Sequence, residues 1–321
     1  MRGRPQNSAD ETKPAFDLRS MQRGDWPSVA RLIHESTNAW YVSHGRPAVF
    51  ACPPEDVTLF CSVYEALDPG CCILAEEKRT GRIAASCFYH PRETHVSLGI
   101  MNSHPDYAGR GLAGKLLRHI TDFADRSGKP VRLVSSAVNL DSFSLYSRHG
   151  FVPRQIFQDM ILTVPENGLH LDPPGADRVR EGRLGDVPAM VALEMDVSGI
   201  RREKDFRYFL ENAAGIWHVS VLEGAGGTIE GFLVSVAHPA SRMLGPGVMR
   251  TEEQAAALIH GELNRHRGMQ PVWLVPSESP GLVRRMYEWG VRNCEIHFAQ
   301  ARGVWKAPTG IVMPTFMPET G

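Results

Sequence analysis

The chain repeats itself, and the repeat restricts it to a fold built twice. Leu18-Arg19 with Gly24-Asp25-Trp26-Pro27 is answered by Val179-Arg180 with Gly185-Asp186-Val187-Pro188, and one constant spacing separates each residue from its counterpart. In both places a short strand-like stretch leads to a glycine, an aspartate suited to a helix N-cap and a proline tolerated in the first turn. Two hairpins continue the parallel. Residues 72–76 and 82–88 turn about Arg79-Thr80-Gly81 and run out at His90-Pro91; residues 217–222 and 229–236 turn about Gly224 to Gly227 and run out at His238-Pro239. Pro130-Val131-Arg132-Leu133-Val134 is echoed by Pro271-Val272-Trp273-Leu274-Val275. With 321 residues, each copy is large enough to bury a core of its own. The expected division is a flexible polar leader over residues 1–15, a first domain over 16–165 closed by a strand at 158–164, a turn-rich linker over 166–176, a second domain over 177–306, and an irregular, proline-containing tail over 307–321.

The copies diverge at one stretch. His104-Pro105-Asp106-Tyr107-Ala108-Gly109-Arg110-Gly111-Leu112-Ala113-Gly114-Lys115 runs into Leu112, Leu116, Ile120 and Phe123, which recur at helical spacing. Glycines at a helix start expose backbone, and a first turn holds N–H groups with no intrahelical acceptor at the positive end of the helix dipole. The stretch therefore reads as an anion cradle. It lacks the Lys-Ser or Lys-Thr of a P-loop and the glycine spacing of a dinucleotide fold. In the second copy, Thr251, Glu252, Glu253 and Ala256 stand where the first has Gly109, Arg110, Gly111 and Gly114. Two carboxylates there satisfy the dipole themselves and repel phosphate.

The cradle resembles the acyl-CoA loop of the GCN5-related N-acetyltransferase (GNAT) superfamily, Gln or Arg, two residues, Gly, one residue, Gly or Ala, whose places are taken by Ala108, Gly111 and Ala113. Ala108 departs from the pattern and loses a polar side chain, while the backbone donors are kept. A second stretch, Asn139-Leu140-Asp141-Ser142-Phe143-Ser144-Leu145-Tyr146-Ser147-Arg148-His149-Gly150-Phe151, resembles the family's asparagine, short tyrosine-bearing helix and Gly-Phe strand start, with Asp141 or Ser142 expected to cap the helix and Gly150 to end it. The resemblance implies an α/β (α+β) fold of two tandem GNAT-like domains, each a mixed, mostly antiparallel sheet flanked by helices, with a degenerate second copy.

What the resemblance implies for chemistry is direct transfer of an acetyl group from acetyl-CoA, a cosubstrate, to a primary amine. Met101, Asn102 and Ser103 match the strand whose backbone binds the pantetheine arm and polarises the thioester; Ala108, Gly109, Arg110, Gly111, Leu112, Ala113 and Gly114 match the pyrophosphate loop; Asn139 matches a further cofactor contact. Tyr146 matches the phenol that protonates the departing thiolate as general acid. Ser97 falls where many relatives carry a glutamate base, which leaves the base open among His95, Glu76, Glu77 and His90. The equivalent of Tyr146 in the second copy is either Tyr287 or Met286, depending on the anchor. A noncatalytic CoA-binding sensor and a protein N-acetyltransferase are the competing readings.

Lys+Arg 35 against Asp+Glu 36, net charge −1, with no basic cluster, argues against a nucleic-acid partner and for a small one; that this small molecule is an amine acceptor is what the resemblance implies. Six cysteines without a Cys-x-x-Cys pairing, and the absence of a long apolar span or signal-like start, imply a cytoplasmic protein that neither enters nor spans a membrane and holds no metal. The adjacent Cys71-Cys72 reads as packing.

Overall fold

The computed structural model describes residues 15–319. The first copy runs β1 (Phe16–Ser20), α1 (Trp26–Ser43), α2 (Thr58–Leu67), β2 (Cys72–Glu77), β3 (Ile83–Pro91), β4 (Val96–Ser103), α3 (Leu112–Arg126), β5 (Val131–Ser136), α4 (Leu140–Arg148) and β6 (Val152–Ile161). The second runs β7 (Val179–Glu181), α5 (Val187–Ser198), α6 (Glu203–Glu211), β8 (Trp217–Glu223), β9 (Ile229–His238), β10 (Ser241–Met249), α7 (Glu252–Leu263), β11 (Val272–Pro276), α8 (Pro280–Glu288) and β12 (Arg292–Arg302), with β13 (Ile311–Met313) beyond it. The element order is the same twice over. The leader expected over residues 1–15 lies outside the described residues apart from Ala15.

The repeat extends to individual ion pairs. Arg19 bridges Asp25 at 2.6 Å and Glu76 at 2.5 Å; Arg180 bridges Asp186 at 2.8 Å and also Glu223. Asp25 and Asp186 stand at the N-cap positions of α1 and α5 without capping them. Each carboxylate instead accepts the N–H three residues earlier, from Gln22 at 2.7 Å and Arg183 at 2.8 Å, and so ties the end of the first strand to the helix start.

The two copies share one continuous, mostly antiparallel sheet in the order β1-β2-β3-β4-β5-β12-β6-β11-β10-β9-β8-β7. Its middle is a reciprocal exchange. β12, the last strand of the second copy's core, pairs with β5 from Arg302↔Val131 to His297↔Ser136, while β6 of the first pairs with β11 from Val272↔Ile161 to Pro276↔Phe157. β6 and β12 pair with each other. The strand expected to close the first domain at 158–164 thus starts earlier, at Val152, and lies between two strands of the second copy. The core of each copy has a single strand after its last helix, β6 or β12, so the exposed edges of β5 and β11 are covered by the strand that the other supplies.

Helices α1, α2, α5 and α6 cover one face in a single core that includes Ile33, Tyr64, Phe206 and Phe209. On the opposite face α3 and α4 bury Leu116, Ile120 and Tyr146, and α7 and α8 bury Leu258, Leu282 and Met286. The halves are also joined by charge: Arg92 Nη2 and Nε reach Asp205 Oδ2 at 2.6 and 2.9 Å, with both side chains fully buried. Within the tail expected to be irregular, residues 311–319 include a strand and are largely buried. β13 pairs with β10, Phe316 bridges Glu319, and Glu319 accepts from the Tyr64 hydroxyl on α2. No helix among the described residues is long and apolar enough to cross a membrane.

Candidate functional site

The site starts where β4 and β5 part. They pair in parallel only at Val96↔Val131 and Ser97↔Arg132, after which the strands diverge and the β5-facing edge of Met101, Asn102 and Ser103 has no partner strand. A bulge against β3 marks the change, at Gly99, whose Cβ would come within 2.9 Å of Phe88. Only a residue without a side chain allows that approach, and the bulge turns the strand's later residues to the opposite faces. Beyond it Asn102 faces α1, donating to Ser36 Oγ at 2.8 Å and Thr37 Oγ1 at 3.1 Å, while Met101 packs toward α3. Asn102 Oδ1 and Ser103 Oγ are buried with no partner among the described residues.

The strand feeds a braced turn. Tyr107 is buried and donates to Glu77 Oε2 at 2.9 Å, and Arg82 pairs with Asp106 at 2.9 Å. Gly109 and Gly111 each have φ +72°, and a Cβ on either would meet nothing within 4 Å. The glycines are therefore required by backbone conformation while the space in front of them is open. The first intrahelical bond of α3 is Lys115 N–H to Gly111 O at 3.1 Å, which leaves the N–H groups of Leu112, Ala113 and Gly114 in the first turn. Ala108 and Arg110 are exposed, and Arg110 forms no salt bridge among the described residues. An open turn followed by unpaired first-turn N–H groups is the geometry that an anion cradle requires.

Across the gap, α4 places Tyr146 on its buried side, 6 % exposed and against Phe151 at 5.8 Å. Its hydroxyl has no hydrogen-bond partner among the described residues. Burial, with Cys87 and Glu319 adding to it, pushes the phenol above its ordinary pKa. The helix is capped by Asn139, whose Oδ1 accepts from Ser142 N–H at 3.0 Å, in place of the Asp141 or Ser142 expected. Asn139 thus has a structural duty beside the cofactor contact that the resemblance implies.

The second copy repeats the gap and fills it. β10 and β11 pair only at Met243↔Val272 and Leu244↔Trp273, and β13 then pairs with β10 at Gly247, Val248 and Met249, along the stretch equivalent to the open edge of β4. At the start of α7, Thr251 Oγ1 accepts from Gln254 N–H at 3.3 Å, and Gln254 Oε1 accepts from the N–H groups of Thr251 and Arg250. Glu252 and Glu253 occupy that first turn. Met286 is fully buried at the position equivalent to Tyr146, whereas Tyr287 is 48 % exposed and donates to Gln158 at 2.6 Å. The second copy therefore has no phenol in its gap.

The sequence candidates for a base are dispersed. Glu76 is held by Arg19, and Glu77 by Tyr107 and Thr80. His90 is buried against Asp68 at 2.6 Å. His95 is buried beside Ser97 Oγ at 3.0 Å, and burial together with Arg92, Arg132 and Arg202 lowers its pKa. What the structure does bring to the mouth of the first gap was missed. His297 of β12 stands opposite Ser136, the last residue of β5, and pairs with Asp159 of β6 at 2.9 Å. Next to them Glu295 accepts from the hydroxyls of Tyr41, at 2.9 Å, and Ser136. A comparison of the copies could have flagged this group, since the spacing from Gly150 to Gly290 carries Gln155, Phe157 and Asp159 to Glu295, His297 and Ala299.

The assignment follows from the comparisons. Residues 31–151 match the family model described as Acetyltransferase (GNAT) family, and residues 190–296 match a second, described as Acetyltransferase (GNAT) domain. The chain belongs to the GNAT superfamily. Among solved structures, an acetyltransferase candidate from Pyrococcus horikoshii shares the fold with a TM-score of 0.73 at 14 % identity, over 99 % of this chain and 100 % of that one. A GCN5-related N-acetyltransferase from Sphaerobacter thermophilus follows at 0.61 and 19 %, over 91 % and 96 %. A tandem GNAT protein from the clavulanic acid biosynthesis pathway gives 0.59 and 11 %, over 91 % and 100 %. No curated protein matches the sequence. The likeness thus spans 91–99 % of this chain, and at these identities it concerns the fold.

Proposed function

We propose that this tandem GNAT protein is an acetyl-CoA-dependent N-acetyltransferase with one working cofactor site, in the first copy, and that it acetylates a primary amine on a small molecule by direct attack. The observation that carries the reading is the contrast between the gaps: one keeps an open glycine cradle, an unpaired strand edge and a buried phenol, and the other has lost all three. Gly109, Gly111 and the first-turn N–H groups of α3 take the pyrophosphate, Met101 to Ser103 take the pantetheine arm along the free edge of β4, and backbone donors there polarise the thioester carbonyl. Tyr146, kept protonated by its buried setting, returns a proton to the departing thiolate. The absence of any basic cluster favours a small acceptor over a nucleic acid.

Calorimetry with acetyl-CoA tests the reading. The wild type should bind one equivalent per chain; Gly111→Glu, which forces a side chain into left-handed backbone and a carboxylate into the cradle, should weaken binding at least about 100-fold. Two equivalents, or wild-type affinity in Gly111→Glu, would overturn it.

A further inference from the structure

Resting on that reading, the geometry points to His297 as the general base for the acceptor amine, oriented by Asp159, so that the first copy's reaction is completed by a strand belonging to the second. Three observations converge on it. The exchange places β12 directly beside β5, with His297 in register with Ser136 at the open end of the gap. Asp159, from the neighbouring strand β6, accepts from His297 Nδ1 at 2.9 Å, which fixes the proton on that nitrogen and leaves the lone pair on Nε2. Nε2 has no partner among the described residues and is not one of the fully buried unpaired atoms, so it keeps contact with solvent.

The surroundings suit a proton acceptor. The Phe316 ring lies 4.6 Å from the imidazole and holds it from the tail side. Glu295, on the same strand, is occupied by Tyr41 and Ser136 with Arg46 at 3.6 Å, so it neither competes for the imidazole nor stands free as a base. The pair also lies on the face covered by α1, to which Asn102 turns, whereas Tyr146 lies on the face covered by α3 and α4. A base and an acid on opposite sides of the strand gap match the two proton transfers that aminolysis needs. His297 Nε2 takes a proton from the acceptor ammonium, and the freed amine forms the N–C bond to the acetyl carbonyl. The C–S bond then breaks, the thiolate receives its proton from Tyr146, and the attacking nitrogen gives its second proton to His297 Nε2, which has passed the first to solvent, while solvent reprotonates the Tyr146 phenolate. The equivalent group at the second gap is apolar at two of its three positions, Phe157 and Ala299, as expected where no reaction occurs.

Bromoacetyl-CoA tests this without knowledge of the amine. Its methylene carbon stands at the acetyl methyl, and a nucleophilic nitrogen facing it displaces bromide and becomes covalently attached. One adduct per chain is expected, located to His297 by peptide mass analysis and suppressed by excess acetyl-CoA. His297→Asn should remove it. Asp159→Asn should slow it about tenfold or more while leaving acetyl-CoA affinity unchanged, a split that a merely structural role would not produce. Competition with acetyl-CoA without labelling of His297, or labelling of Cys87 or His95 instead, would overturn the assignment while sparing the cofactor site. A reagent that fails to bind at all would overturn the cofactor reading, and the dyad with it.

Discussion

β4 and β5 separate after two paired residues and so do β10 and β11, yet the first gap is left open and the second is closed by the chain's own tail. The closure is thorough at every point where a ligand would touch. β13 takes the strand edge, the capping box of Thr251 and Gln254 takes N–H groups at the start of α7, and Met286 replaces the phenol with a thioether that has no proton to give. The difference teaches that the geometry of the gap belongs to the fold, while its chemistry belongs to a few replaceable side chains and to whatever strand lies along its edge. The same parting of strands leaves an open edge in one place and serves internal packing in the other.

The comparison can be broken at its chemical end. Tyr146→Phe should lower the rate of CoA release with an accepted amine by about 10²–10⁴-fold and leave acetyl-CoA affinity unchanged, as a lost proton donor requires. An unaltered rate would remove the phenol from the contrast between the copies.

It can be sharpened at the junction of the halves. Asp205→Ala leaves Arg92 charged and buried without its partner, and should cost about 3–5 kcal/mol of stability, read as a lower midpoint in urea unfolding followed by fluorescence. The transition should stay single, because the two halves share a sheet and a core. Separate transitions would mean that the copies are thermodynamically independent after all.

The smallest expected effect concerns the closed gap. Glu253→Gly combined with Val312→Pro, which disturbs β13, should leave calorimetric stoichiometry at one acetyl-CoA per chain, since neither change restores a glycine cradle or a phenol. A second binding event would show that the tail and one carboxylate alone suppress a competent site.

Much of this was legible in the residues. The glycine cradle and the strand order depend on local rules, and Gly111 must be read as a turn residue whatever surrounds it. The repeat disclosed the second copy even where its side chains had changed. The strand exchange was not legible, because the alternation in β6 and β12 says that they are strands and nothing about which edge they join. The tail strand was hidden for a related reason: Ile311-Val312-Met313 is short and lies between Pro308 and Pro314, a context that reads as loop until β10 supplies a partner. Asp159 and His297 lie far apart in sequence, and neither sits in a motif. Aligning the copies could flag these positions, but their meeting follows from the exchange and could not be seen before it.

The exchanged strands also bear on what the chain can lose over evolutionary time. In an ordinary duplication, a copy that has lost its chemistry is free to accumulate changes and finally to be deleted. Here the copy without the glycine cradle supplies the strand that shields β5 and receives one in return, so a deletion would strip the other half of its wall. Selection on the copy that keeps the cradle therefore reaches across to the one that has lost it, and the two are inherited as a single unit.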